Sequence, residues 1–159
     1  MTTTILPAAK YDLRVPRYTS YPTAPHFGPE VTAGTYREWL GGLDPAAALS
    51  VYVHIPFCDE MCWFCGCWTK IVKRYEPIRS YLDALAGEIA LIAAALPARM
   101  PLRHLHFGGG SPTMLTPQDW LAVTADLGRR FAFAEEAEIA VELDPRDATF
   151  RSVRGNRIS

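Results

Sequence analysis

Strand, helix, strand, helix and strand follow one another from Leu49 onward, and this alternation predicts an α/β fold assembled from parallel βαβ units with right-handed crossovers. Three observations carry the reading. The elements come at an even pace, no internal repeat or low-complexity segment competes with them, and each chemically distinctive motif falls at the carboxyl end of an expected strand, where parallel α/β sheets and barrels place their ligands. In order, Leu49-Ser-Val-Tyr-Val-His-Ile reads as a buried strand and Tyr81 to Leu96 as an apolar-striped helix. Leu102-Arg-His-Leu-His-Phe reads as a second strand, Thr116 to Phe131 as a second helix and Glu138-Ile-Ala-Val-Glu-Leu as a third strand.

The first forty-odd residues differ. Pro7, Pro16, Pro22, Pro25 and Pro29 break any long helix or central strand, so residues 1–48 are expected to form an extended arm. One short helix is expected within it, Thr35 to Leu43, with Tyr36, Trp39 and Leu40 on one face. Residues 49–159 then hold the βα units.

Composition bounds the function. At 159 residues and 49% hydrophobic content the chain is long enough for one core, and its net charge of −1 supplies no electrostatic drive toward nucleic acid. Its longest apolar run, Ile89 to Leu96, falls far short of the ~18 residues a membrane span needs. Met1-Thr-Thr-Thr-Ile-Leu-Pro lacks the basic start and apolar core of a signal peptide, so a soluble cytoplasmic protein is expected.

Cys58, Cys62, Cys65 and Cys67 are all the cysteines of the chain, crowded directly after the first strand. A single free cysteine is often just a small buried residue, but four so close together point to a soft-metal site. Disulfides would need an oxidising compartment, for which nothing else argues. Zinc sites usually draw paired Cys-x-x-Cys knuckles from separate places, whereas Cys-x-x-x-Cys-x-x-Cys lets Cys58, Cys62 and Cys65 converge on one iron–sulfur cubane. Three thiolates on a four-iron cluster leave one iron open to a small molecule.

The same spacing, with an aromatic residue before the third cysteine, resembles the signature of radical S-adenosylmethionine (SAM) enzymes. Tyr52-Val-His-Ile-Pro-Phe-Cys, Cys65-Gly-Cys67, the upstream Arg17-Tyr-Thr-Ser-Tyr-Pro-Thr and the downstream Gly108-Gly-Gly-Ser-Pro-Thr resemble, within them, the oxygen-independent coproporphyrinogen III oxidases. The resemblance runs from about Tyr11 to the end. Related haem chaperones without decarboxylase activity, the alternative reading, usually lack both the Tyr18 to Thr23 segment and the fourth cysteine.

The resemblance implies the N-terminal part of a (β/α)6 partial TIM barrel. A full member has six βα units and a C-terminal domain, so this chain is expected to be truncated and inactive alone; the stretch Ala148 to Ser159 also departs from the family pattern. It further implies a [4Fe-4S] cluster on Cys58, Cys62 and Cys65, two SAM molecules per site, coproporphyrinogen III as substrate, an electron donor such as flavodoxin or ferredoxin, and a monomer at full length. In such enzymes one electron cleaves SAM to methionine and a 5′-deoxyadenosyl radical, which takes hydrogen from a propionate; loss of CO2 and one electron leaves a vinyl group. Two propionates react, giving protoporphyrinogen IX.

For the remaining site residues the resemblance stands beside plainer readings. The glycine loop lacks the lysine and spacing of a phosphate loop and could be a tight strand-to-helix turn; the resemblance implies Gly109 at one SAM, and Gly110 with Ser111 at a second. Glu142 alternates with Val141 and Leu143, so it faces away from them and needs a partner, with Arg146 the obvious candidate; the resemblance places it at the first SAM. Tyr52 and Phe64 match aromatic positions flanking cluster and SAM, or are packed aromatics. Cys67 is a small buried residue or lies beside the second SAM or the substrate channel. His54 lies in the signature strand, and His104 and His106, two residues apart on one face, are expected to be hydrogen-bonded core or helix-layer histidines outside any metal set.

Overall fold

The computed structural model describes residues 21–146. Most of the Arg17 to Thr23 motif and the stretch from Ala148 onward therefore lie outside the described residues. The described part of the arm is largely exposed, Tyr21 and Phe27 included, and contains a short 3-10 turn at Ala24–His26. It runs into helix α1, Ala33–Gly41, which Thr32 opens by accepting a hydrogen bond from the Thr35 amide. The helix buries none of its residues, so its Tyr36 and Trp39 face does not join the core.

Strand β1, Leu49–Ile55, matches the expectation to the residue. After it come two short strands, β2 Phe57–Cys58 and β3 Lys70–Ile71, which pair in parallel and pin both ends of the cysteine loop. They have no sequence signal, because two residues are too few to show a period. Helix α2, Glu76–Ala95, starts earlier than expected because Pro77 in its first turn has no amide that the helix needs. Strand β4, Pro101–Gly109, helix α3, Pro117–Arg130, and strand β5, Ala132–Val141, complete the described chain. The strand β5 begins well before Glu138: Ala132 to Ala137 mixes small and charged residues, and the apolar pattern that betrays a strand appears only at its end.

The main sheet has the order β1-β4-β5, with both pairs parallel. Alternation along each strand separates two faces. Val53 and Ile55, Leu105 and Phe107 turn toward the helices and are buried among Ile78, Leu85 and Ile89 of α2 and Val123 and Leu127 of α3. Full burial of side chains such as Ile55 and Phe107 contributes about 1.5–3 kcal/mol each. The other face is polar: Tyr52 stands beside His106, His54 beside Gly108, and His104 beside Glu138. Such a face fits a barrel interior where polar chemistry is done.

Candidate active site

Three loops meet at the carboxyl ends of the parallel strands: the cysteine loop after β1, the glycine loop closing β4, and Glu142 to Arg146 after β5. Backbone hydrogen bonds tie the first two together. The Gly110 amide donates to the Ile55 carbonyl at 2.8 Å and the Ser111 amide to the Phe57 carbonyl at 2.7 Å. That closeness demands glycine, since a side chain at Gly110 would start 2.4 Å from the Phe57 carbonyl oxygen. Gly109 meets a second demand, with φ at +108° and the His54 ring where a side chain would begin. The amides of Gly109, Gly110 and Ser111 thus all have partners within the protein. The loop is both a tight turn and a seat for the cysteine loop.

The four cysteines are free thiols in unlike surroundings. Cys58 is buried at the root of the loop, its sulfur 3.3 Å from the Thr69 hydroxyl and receiving a long contact from the Ser111 hydroxyl at 3.7 Å. Cys62 is exposed, and the Cys65 amide turns back onto its carbonyl at 3.2 Å. Cys67 is exposed by area; partial desolvation and then the neighbouring Cys65, Glu142 and Cys58 push its thiol up. Between the cysteines, Trp63 and Phe64 are almost wholly exposed, so Phe64 is no core aromatic.

Glu142 is not held by Arg146, as its sequence neighbourhood suggests. Its carboxylate accepts from the Gly109 amide at 3.1 Å and lies 3.3 Å from His106 Nε2. Tyr52 packs edge-on against His106 and its hydroxyl is 3.2 Å from His54 Nδ1. Desolvation first, then Glu142 and Cys67, raise the Tyr52 phenol above its ordinary value. His54 Nε2 meets the Trp68 carbonyl at 2.9 Å, joining strand and loop. Tyr52, Gly109 and Glu142 are therefore brought together, with Cys67 near enough to act electrostatically on Tyr52, whereas Ser111 is buried against Cys58 and Phe64 is fully exposed.

Sequence reasoning gave no role to the contacts of His54 with Tyr52 and of His106 with Glu142, and it assigned Arg146 to the wrong carboxylate. Alternation does place His54 on the Tyr52 face, a signal available beforehand, whereas His106 reaches it only through the register of β4 against β1. Arg146 instead grips Asp144, with Nε 3.0 Å from Oδ1 and Nη2 2.5 Å from Oδ2, and holds that carboxyl down to about 2.

The cysteine chemistry fits an iron–sulfur cluster. Among the described residues no three His, Cys, Asp or Glu side chains converge as ligands of a single ion do. A cubane asks for something else, one thiolate at each of several separate irons, and a loop of free thiols with hydroxyl and guanidinium donors at the sulfurs meets that chemistry.

The parallel sheet, with ligand-type residues gathered at its carboxyl end, defines an α/β fold with a candidate cofactor site. A sequence model of the radical SAM superfamily matches residues 52–152, and the chain belongs to that superfamily, whose members use a [4Fe-4S] cluster and SAM. It is 49% identical over 146 residues to an oxygen-independent coproporphyrinogen III oxidase of Bradyrhizobium diazoefficiens, covering 92% of this chain and 32% of that protein. An oxidase of the same name from Paracoccus denitrificans is 44% identical over 137 residues, covering 86% and 30%. The solved coproporphyrinogen III oxidase of Escherichia coli, described as a radical SAM enzyme, superposes with a TM-score of 0.78 at 36% identity over 87% of this chain and 31% of that one. The chain spans about a third of the length of the curated relatives it matches.

Proposed function

We propose that this chain is the cluster-holding and part of the SAM-holding portion of an oxygen-independent coproporphyrinogen III oxidase. The observation that carries the reading is the meeting of the cysteine loop, the glycine loop and Glu142 at one end of a parallel sheet. Cys58, Cys62 and Cys65 would hold the cluster as thiolates, with Cys67 unligated. Bound there, the cluster and SAM would supply the one-electron chemistry for oxidative decarboxylation of a substrate propionate.

The chain's own residues bind and orient. Glu142, fixed by the Gly109 amide and His106, presents a carboxylate of set position to the first SAM. Tyr52 flanks it, and Cys67 lies on the same side, next to a second SAM or the substrate. Gly110 and Ser111 serve this site from beneath, by seating the loop and donating to the Cys58 sulfur. Exposed Trp63, Phe64 and Trp68 offer apolar surface that excludes water once covered. The reading also takes a cytoplasmic setting, a small redox protein of the flavodoxin or ferredoxin kind as donor, and a monomer for a full-length protein.

The test grafts residues 1–159 in place of the matching third of the Bradyrhizobium relative. The graft is expected to convert coproporphyrinogen III anaerobically, while the 159 residues alone take up a cluster, bind SAM weakly and do not decarboxylate. A graft with a full cluster and no decarboxylation, beside an active parent, contradicts the reading.

A further inference from the structure

Arg146 stands outside every role assigned so far. Its guanidinium is clamped by Asp144, whose side chain is only 7% exposed, through Nε and Nη2. The clamp leaves Nη1 3.2 Å from Glu60 Oε2 and Nη2 3.5 Å from the Cys62 sulfur. The cysteine loop is thus gripped at two points by one cation delivered from beyond β5. Among the described residues Cys58 has only neutral hydroxyls at its sulfur, so the guanidinium there falls on one side of the three-cysteine set.

From this geometry we infer that Arg146 is a positioning residue that fixes Cys62 and, through a charged N–H to sulfur contact, raises the reduction potential of the cluster. The inference rests on the reading of Cys62 as a ligand. Uptake of one electron takes the cluster from the 2+ to the 1+ state and adds negative charge, which a fixed guanidinium at a ligand sulfur stabilises; hydrogen bonds to sulfur and local charge are among the determinants of such potentials. Arginine suits the role better than lysine, because its planar fork holds Asp144 and still reaches Glu60 and Cys62.

The experiment is a dithionite titration of the anaerobically reconstituted chain, followed by electron paramagnetic resonance, on wild type, Arg146→Gln, Arg146→Lys and Cys62→Ser, with iron and sulfide measured on each. Arg146→Gln is expected to keep its iron and move to a more negative potential by roughly a tenfold change in the one-electron equilibrium, about 59 mV. Arg146→Lys is expected to fall between. An Arg146→Gln potential equal to wild type at full iron overturns the inference. Should Arg146→Gln lose its iron, Arg146→Lys decides: iron retained at a potential below wild type supports the inference, and iron lost there too, or retained at the wild-type potential, overturns it. Full iron in Cys62→Ser would instead sink the ligand reading beneath it, a separate failure.

Discussion

At Gly110 the difference between a loop that tolerates change and one that does not comes down to a single carbon. A methyl there meets the Phe57 backbone rather than a movable side chain, so Gly110→Ala should destabilise the chain by about 1–3 kcal/mol, as overpacking does. Gly87 is the control: it lies within α2 with nothing within 4 Å of a new methyl, and Gly87→Ala should stabilise by roughly 0.5–1 kcal/mol. Urea denaturation of both variants checks the pair, and equal shifts would show that the glycine loop does not seat the cysteine loop. Glu142→Gln is expected to weaken SAM binding while leaving iron content unchanged, as read by equilibrium dialysis and iron assay. Loss of iron instead would assign Glu142 to holding the loop.

At the scale of elements, helix α3 is set by a polar cluster rather than by propensity. Thr116 caps the helix, and the Asp119 carboxylate accepts from the Thr116 and Tyr75 hydroxyls, tying α3 to the start of α2. The Thr116 bond first, then that of Tyr75, lowers the Asp119 pKa below its ordinary 3.8. A depressed carboxyl contributes stability that is present above the unfolded value and is lost as pH falls through the folded one. Asp119→Asn should therefore cost about 1–2 kcal/mol at neutral pH and progressively less below about pH 4. Melting curves across that range check it, and a cost independent of pH would mean the ion is not what matters. The Thr116 cap marks the helix start in the sequence, but the Tyr75 contact comes from a residue far away in the chain and is not legible there.

The same division explains what could be read in advance. β1, α2, β4 and α3 were visible because each carries a sustained apolar period that its packing against the sheet or helices requires. The ladder β2–β3 and the first half of β5 were not, because their pairing is decided by neighbours rather than by their own pattern. For the site, cysteine spacing was legible since ligand geometry constrains it locally. The partner of Glu142 was not: sequence proximity suggested Arg146, whereas the register of β4 supplies His106.

For the whole molecule, β1 and β5 each have one sheet partner among the described residues, and β5 carries partly exposed Phe133 and Ile139. Edges of this kind invite pairing with other chains, so the isolated 159 residues are expected to self-associate and to bind a dye that reports apolar surface. A sharp monomer peak in size-exclusion chromatography without dye binding would contradict this.

The central claim, that three of the four cysteines hold a [4Fe-4S] cluster at the carboxyl end of this sheet, is tested most directly by iron and sulfide content after anaerobic reconstitution of single serine variants. Cys67→Ser should keep about four irons and four sulfides per chain, and Cys58→Ser, Cys62→Ser and Cys65→Ser should each lose most of them. Loss in Cys67→Ser together with retention in any of the other three would contradict the account.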